Sequence, residues 1–146
     1  MFDAVAKNTL VPLILRLGIA VVFIYHGLHK VTDDGTQMGS AWMEAKNMKP
    51  EDVRPPAVQA AVAWGELIGG IALALGFVTR LAALGIAAIM AGAMYTTTFK
   101  NGFEVLKFGY EYNVVIIVIC LALVLMGGGT LSLDRIIRIR RRRMLG

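Results

Sequence analysis

The chain has 146 residues, 57% of them hydrophobic but only 8% aromatic, and a formal charge of +5. That apolar share, with a mean hydropathy of +0.65, exceeds an ordinary soluble domain's, where about half the residues are apolar. The excess charge lies in Arg138-Ile139-Arg140-Arg141-Arg142-Arg143, which beside an apolar segment reads as a topology signal and an anionic-lipid contact, not as a nucleic-acid site.

Length predicts one transmembrane domain over residues 1–146. Cys120 is the one cysteine, so disulfides within the chain, Cys-x-x-Cys redox pairs and thiolate clusters are excluded. From Val11 the chain is apolar over about 11–29, interrupted only by Arg16 and the Tyr25-His26 pair. This is the length of a membrane span. It exceeds a signal-peptide core and no Ala-x-Ala site follows, so it is read as retained. Residues 30–56 are polar and predict a long outer loop. Within it, Ser40 to Lys46 suits a short interfacial helix with Trp42 at headgroup level. Pro55-Pro56 closes the loop, and proline suits the first turn of the next helix.

Further spans are predicted over about 57–77, 81–99 and 112–129. Gly76 to Arg80 makes a tight turn between the second and third. The stretch from Lys100 to Gly109 makes the next loop, and an amphipathic basic tail begins at Leu131. The fold class is therefore all-α, an integral membrane four-helix bundle. Lys7, Arg80 and the arginine tail share one face, so the positive-inside rule predicts cytoplasmic termini.

Glu66 dominates the functional reading. It lies in Trp64-Gly65-Glu66-Leu67-Ile68-Gly69-Gly70, inside a span, where a carboxylate costs roughly 2.5–3.5 kcal/mol on insertion scales. At 1.5 Å per residue, Glu66 lies about 12 Å and His26 about 8 Å below the outer surface, with Arg16 about 10 Å deeper than this pair. Side chains tilt toward their helix N-terminus. This brings Glu66 and His26 toward one another, and predicts His26 as first partner and Arg16 as second. On the helical wheel Arg16, Ala20, Phe23, Gly27 and Lys30 share a stripe, with His26 at its edge. Glu66 shares a stripe with Gly69, Gly70, Leu73 and Phe77, facing a close helix contact. Gly65-x-x-x-Gly69 and Ala88-x-x-x-Gly92 predict tight packing of the second and third spans. Tyr95 comes out near His26 in depth, and Tyr112 and Asn113 open the last span. Blander readings stand beside these: Arg16 as a snorkelling anchor, His26 and His29 as interface residues, Tyr112 and Trp42 as belt residues, Glu66 as a structural pin. The two histidines lack a third soft ligand, so metal or haem ligation is not expected.

Taken jointly, several blocks resemble the DoxX family of small four-helix membrane proteins. They are Leu15-Arg16-Leu17, Tyr25-His26-Gly27-Leu28-His29-Lys30, Glu66-Leu67-Ile68-Gly69-Gly70, Leu75-Gly76-Phe77-Val78-Thr79-Arg80, Asn101-Gly102-Phe103, Gly109-Tyr110-Glu111-Tyr112 and Leu131-Ser132-Leu133-Asp134-Arg135. The long charged first loop, with Trp42, Pro50, Pro55 and Pro56, departs from that pattern. The resemblance implies a bacterial inner-membrane protein, some of whose relatives serve thiosulfate:quinone oxidoreductase, oxidative-stress complexes or quinone and catechol resistance. On that footing the chain is expected to be a subunit of a quinone-linked oxidoreductase or redox-stress complex. Glu66 and His26 would be catalytic, and Arg16, Tyr25, Tyr95, Tyr112 and Asn113 would bind a membrane quinone. The sequence carries no motif for a covalent cofactor, haem, flavin or iron–sulfur cluster, so the electron carrier is assigned to a protein partner. Self-association is left open. The alternatives are an assembly anchor without chemistry and a small proton-coupled transporter. Against the latter, the chain has a strong charge bias between its faces, and Arg16 and His26 would compete for the carboxylate.

Overall fold

The computed structural model describes residues 5–32 and 56–145, and these are helical with short connections. A π-helical turn, Ala6–Leu10, leads into α1, Val11–Thr32. Next come α2, Pro56–Leu75, α3, Thr79–Ala93, α4, Glu111–Met126, and α5, Leu133–Leu145. A π turn at Met94–Thr98 and a 3₁₀ turn at Phe99–Asn101 prolong α3. The interfacial helix expected at 40–46 lies outside the described residues.

Among the described residues, three helical stretches are long and apolar enough to cross a membrane: Ala6–Thr32, Ala57–Leu75 and Thr79–Asn101. Helix α4 is also apolar but has 16 residues, about 24 Å at 1.5 Å each, against a hydrocarbon core of about 30 Å. The glycines from Gly127 onward, expected within the last span, lie outside it because Gly127 ends the helix at φ 75°. The first span is longer than expected: α1 runs on to Thr32 and carries Lys30 in its last turn.

Helix α1 packs mainly on α2 and α3 mainly on α4, with α2 against α3 and α4 back against α1. The core between them is Ile19, Ala20, Phe23, Leu73, Ala83, Ile86, Ile116, Cys120 and Leu123. The outward faces are apolar as well: Val21, Leu81 and Leu125 are more than two-thirds exposed. So much exposed apolar surface suits hydrocarbon rather than water. In that solvent helices associate through close packing rather than through the hydrophobic effect.

Glycines set the closest approaches. A Cβ on Gly27 would lie 2.5 Å from the Leu67 backbone nitrogen, and one on Gly70 would lie 2.9 Å from that of Ile24. Helices α1 and α2 therefore meet backbone to backbone. Gly65 and Gly69 face Ile89 and Ile86 of α3, as their spacing predicts. The Ala88/Gly92 pair does not take part, since Gly92 faces open space and Ala88 is exposed.

The turn between α2 and α3 is a Schellman closure. Phe77 N–H donates to Ala72 O at 2.9 Å and Gly76 N–H to Leu73 O at 3.1 Å, with Gly76 at φ +66°. Val78 follows at φ 42°, a left-handed conformation that costs a β-branched residue on the order of 1–2 kcal/mol.

Candidate functional site

Glu66 projects from α2 into the contact with α1 and is 3% exposed. Because Gly27 and Gly70 bring the helices together, residues one turn beyond the contact on α1 reach the carboxylate. The residue that does so is Lys30, whose Nζ lies 2.7 Å from Oε1 and 2.6 Å from Oε2. The lysine side chain is 23% exposed and the glutamate 4%. The pair therefore has one sealed end and one end open to its surroundings. A charge-assisted bond to both oxygens is the arrangement that lets a carboxylate persist in an apolar interior.

The expected partners are thus corrected. His26 is exposed and makes an edge contact with Tyr25 at 5.5 Å, while Tyr25 stacks on His29 at 6.4 Å. At the edge of the α1 stripe, His26 turns off the line of approach that Gly27 defines. Lys30 lies on that stripe, and its long side chain tilts back toward its helix N-terminus to meet Glu66. The sequence carried this signal. Lys30 escaped it because the polar residues from 30 onward read as loop.

Arg16 belongs to a different centre. It is 1% exposed, and its Nη1 and Nη2 donate to Gly128 O at 2.6 Å and Leu131 O at 2.9 Å. Gly76 leaves room for it, since a Cβ there would overlap the guanidinium. Gly76 and Glu66 are ten residues apart on one chain, about 15 Å of helix, so Arg16 is remote from the carboxylate.

Around Arg16 the tail folds back onto the α2–α3 turn. Asp134 accepts from Val78 N–H at 2.7 Å and Thr79 N–H at 2.9 Å, capping α3. Its own N–H donates to Gly76 O at 3.0 Å. Ser132 Oγ accepts from Arg135 N–H and donates to Gly129 O, capping α5. Thr130 N–H donates to Asn8 O at 2.8 Å, and the Thr9 and Thr130 hydroxyls are bonded, which fastens the N-terminal turn to the same loop. The Arg16, Gly76–Arg80 and Leu131–Arg135 blocks are therefore one joint. The sequence reading missed this, because only the folded chain brings residues 16, 76 and 134 together.

The remaining candidates do not gather on Glu66. Tyr25, Tyr95 and Tyr112 are 68%, 83% and 45% exposed on the outward helix faces. Asn113 is buried, but it ties α4 to α3: Nδ2 donates to Met90 O at 3.2 Å and Oδ1 accepts from Thr98 Oγ1 at 3.5 Å. Of the expected residues, only Glu66 sits in the ion pair, and its partner is Lys30. No group of three or more His, Cys, Asp or Glu suited to a metal occurs among the described residues.

The family model for DoxX matches residues 11–98, which include α1, α2 and the whole Lys30–Glu66 pair. A protein of Haemophilus influenzae, itself described as uncharacterized, is 32% identical over 127 residues, covering 86% of this chain and 82% of its own length. No solved structure matches.

Proposed function

The chain belongs to the DoxX family, and from that footing we propose that it is a four-span subunit of a quinone-linked redox complex in the bacterial inner membrane. Both termini are cytoplasmic in this reading, and the Lys30–Glu66 pair lies toward the outer leaflet. One observation carries the proposal: a buried carboxylate, bonded at both oxygens to a lysine that is itself partly exposed. Ionisable groups inside a membrane are costly and generally functional. Lys30 connects the sealed carboxylate to the surface, as a proton-exchanging site requires. A quinone becomes a quinol by taking up two electrons and two protons. Here a partner protein supplies the electrons, and the Lys30–Glu66 pair passes protons to the headgroup. Tyr25 and His26, exposed on α1 one turn before Lys30, are the groups a lipid-soluble headgroup meets first on that helix.

The test is Glu66→Gln in native membranes, with quinone reduction expressed per amount of assembled protein. The proposal expects lower turnover at unchanged yield, and unchanged turnover refutes the catalytic role.

A second reading is favoured by a specific observation. Glu66 has both oxygens committed to Lys30 beside the tight Gly27–Leu67 contact, which is how a structural pin between α1 and α2 is built. In that case the chain is an assembly anchor for a partner enzyme. Glu66→Gln then lowers yield and leaves specific activity intact.

A further inference from the structure

The end of the molecule that holds Arg16 also contains a cleft of about 1100 Å³, lined by Lys7, Arg80, Arg135, Arg138 and Arg142. These side chains come from separate places: the N-terminal turn, the start of α3, and α5. Among the described residues the one carboxylate in the lining is Asp134, and its two oxygens accept from Val78 and Thr79 N–H. Among the described residues, five cations thus line a space that holds one carboxylate, so positive charge is in excess there. Such an arrangement repels itself unless an anion enters.

Two further features indicate what kind of anion. Thr79 lines the cleft and is fully buried, yet its hydroxyl has no hydrogen-bond partner. It faces the bare Cα of Gly128, where a Cβ would come within 2.6 Å of Oγ1. Sealed there, the hydroxyl does not reach the cleft; the planar guanidinium forks of the arginines are what match a phosphate. The wall also carries apolar side chains, among them Leu81, Met126 and Ile139. On α5, Arg135, Arg138 and Arg142 recur at i, i+3 and i+7 with Ile139 among them, so one face offers both charge and apolar surface. The volume is ample for a phosphate together with a glycerol backbone.

We propose that this cleft binds the headgroup of an anionic phospholipid, with the α5 arginines on the phosphate and the apolar side chains of the wall along the upper acyl chains. Helix α5 makes few contacts with the other helices apart from its capped first turn. The lipid is therefore the element that fastens α5 to the membrane surface. The proposal rests on the helices being membrane-embedded and does not depend on any role for Glu66.

The experiment uses the full chain, delipidated in mild detergent, with phosphatidylglycerol retention measured by native mass spectrometry. Arg135→Gln/Arg138→Gln/Arg142→Gln removes three charges that line the cleft. Arg140→Gln/Arg141→Gln/Arg143→Gln removes the same charge from tail positions outside the lining. The cleft variant is expected to bind about 100-fold more weakly, taking about fivefold per basic residue at an anionic surface, while the tail variant stays near the native value. Equal loss in both triple variants overturns the proposal in favour of diffuse attraction to the tail. Displacement of the lipid by millimolar inorganic phosphate overturns it in favour of a soluble-anion site. Equal retention of phosphatidylcholine shows that the headgroup charge is not read, and also overturns it.

Discussion

Replacing Lys30 with methionine strands the Glu66 carboxylate in a site where it is only 4% exposed. Removing one member of a buried pair costs about 3–5 kcal/mol, most of it the penalty of the charge left behind. The converse change, Glu66→Met, is milder. Lys30 is 23% exposed, so its ammonium can snorkel to headgroups, limiting the loss to about 1–2 kcal/mol. The double variant Lys30→Met/Glu66→Met fills the space with matched apolar chains and should lie within about 1 kcal/mol of the native protein, or above it. Unfolding free energies by detergent titration in bicelles give all corners of this cycle. The ordering Lys30→Met below Glu66→Met, with rescue in the double variant, is the expected outcome. Equal single losses, or a double loss equal to their sum, would refute the coupling and the asymmetry drawn from burial.

The remaining predictions concern the helix contacts and the joint. Gly27→Ala drives a methyl into the Leu67 backbone, which should cost about 1–3 kcal/mol as overpacking; proximity labelling between positions 30 and 66 should show the pair separated. Asp134→Ala removes both bonds that cap α3, for a loss of about 1–2 kcal/mol. Protease cleavage between 127 and 135 should then rise as α5 detaches. Val78→Gly relieves a valine held at φ 42°, so stability should hold or rise by up to about 1 kcal/mol; a loss above that range would show that the valine side chain matters more than its strain.

Much of the architecture was legible along the chain. Apolar runs of span length gave the helices, because each one satisfies its own backbone and needs only local information. Gly65 and Gly69 pointed to α3, and Gly70 with Glu66 to a close contact, because helical periodicity alone places them on a face. The limits of a helix were harder to read. Lys30 looked like the start of a loop, although α1 carries it in its last turn.

What the linear chain determined, then, was an intramembrane carboxylate facing another helix and an arginine near the opposite end. The identities of their partners were decided only in three dimensions. The choice of Lys30 over His26 follows from the rotation at which Gly27 lets α1 lie on α2. Arg16 finds the carbonyls of Gly128 and Leu131 because the tail returns over the Gly76 turn. Depth and periodicity order residues along a helix axis. The angle between two helices, and the path of the chain past their ends, come from packing between distant segments.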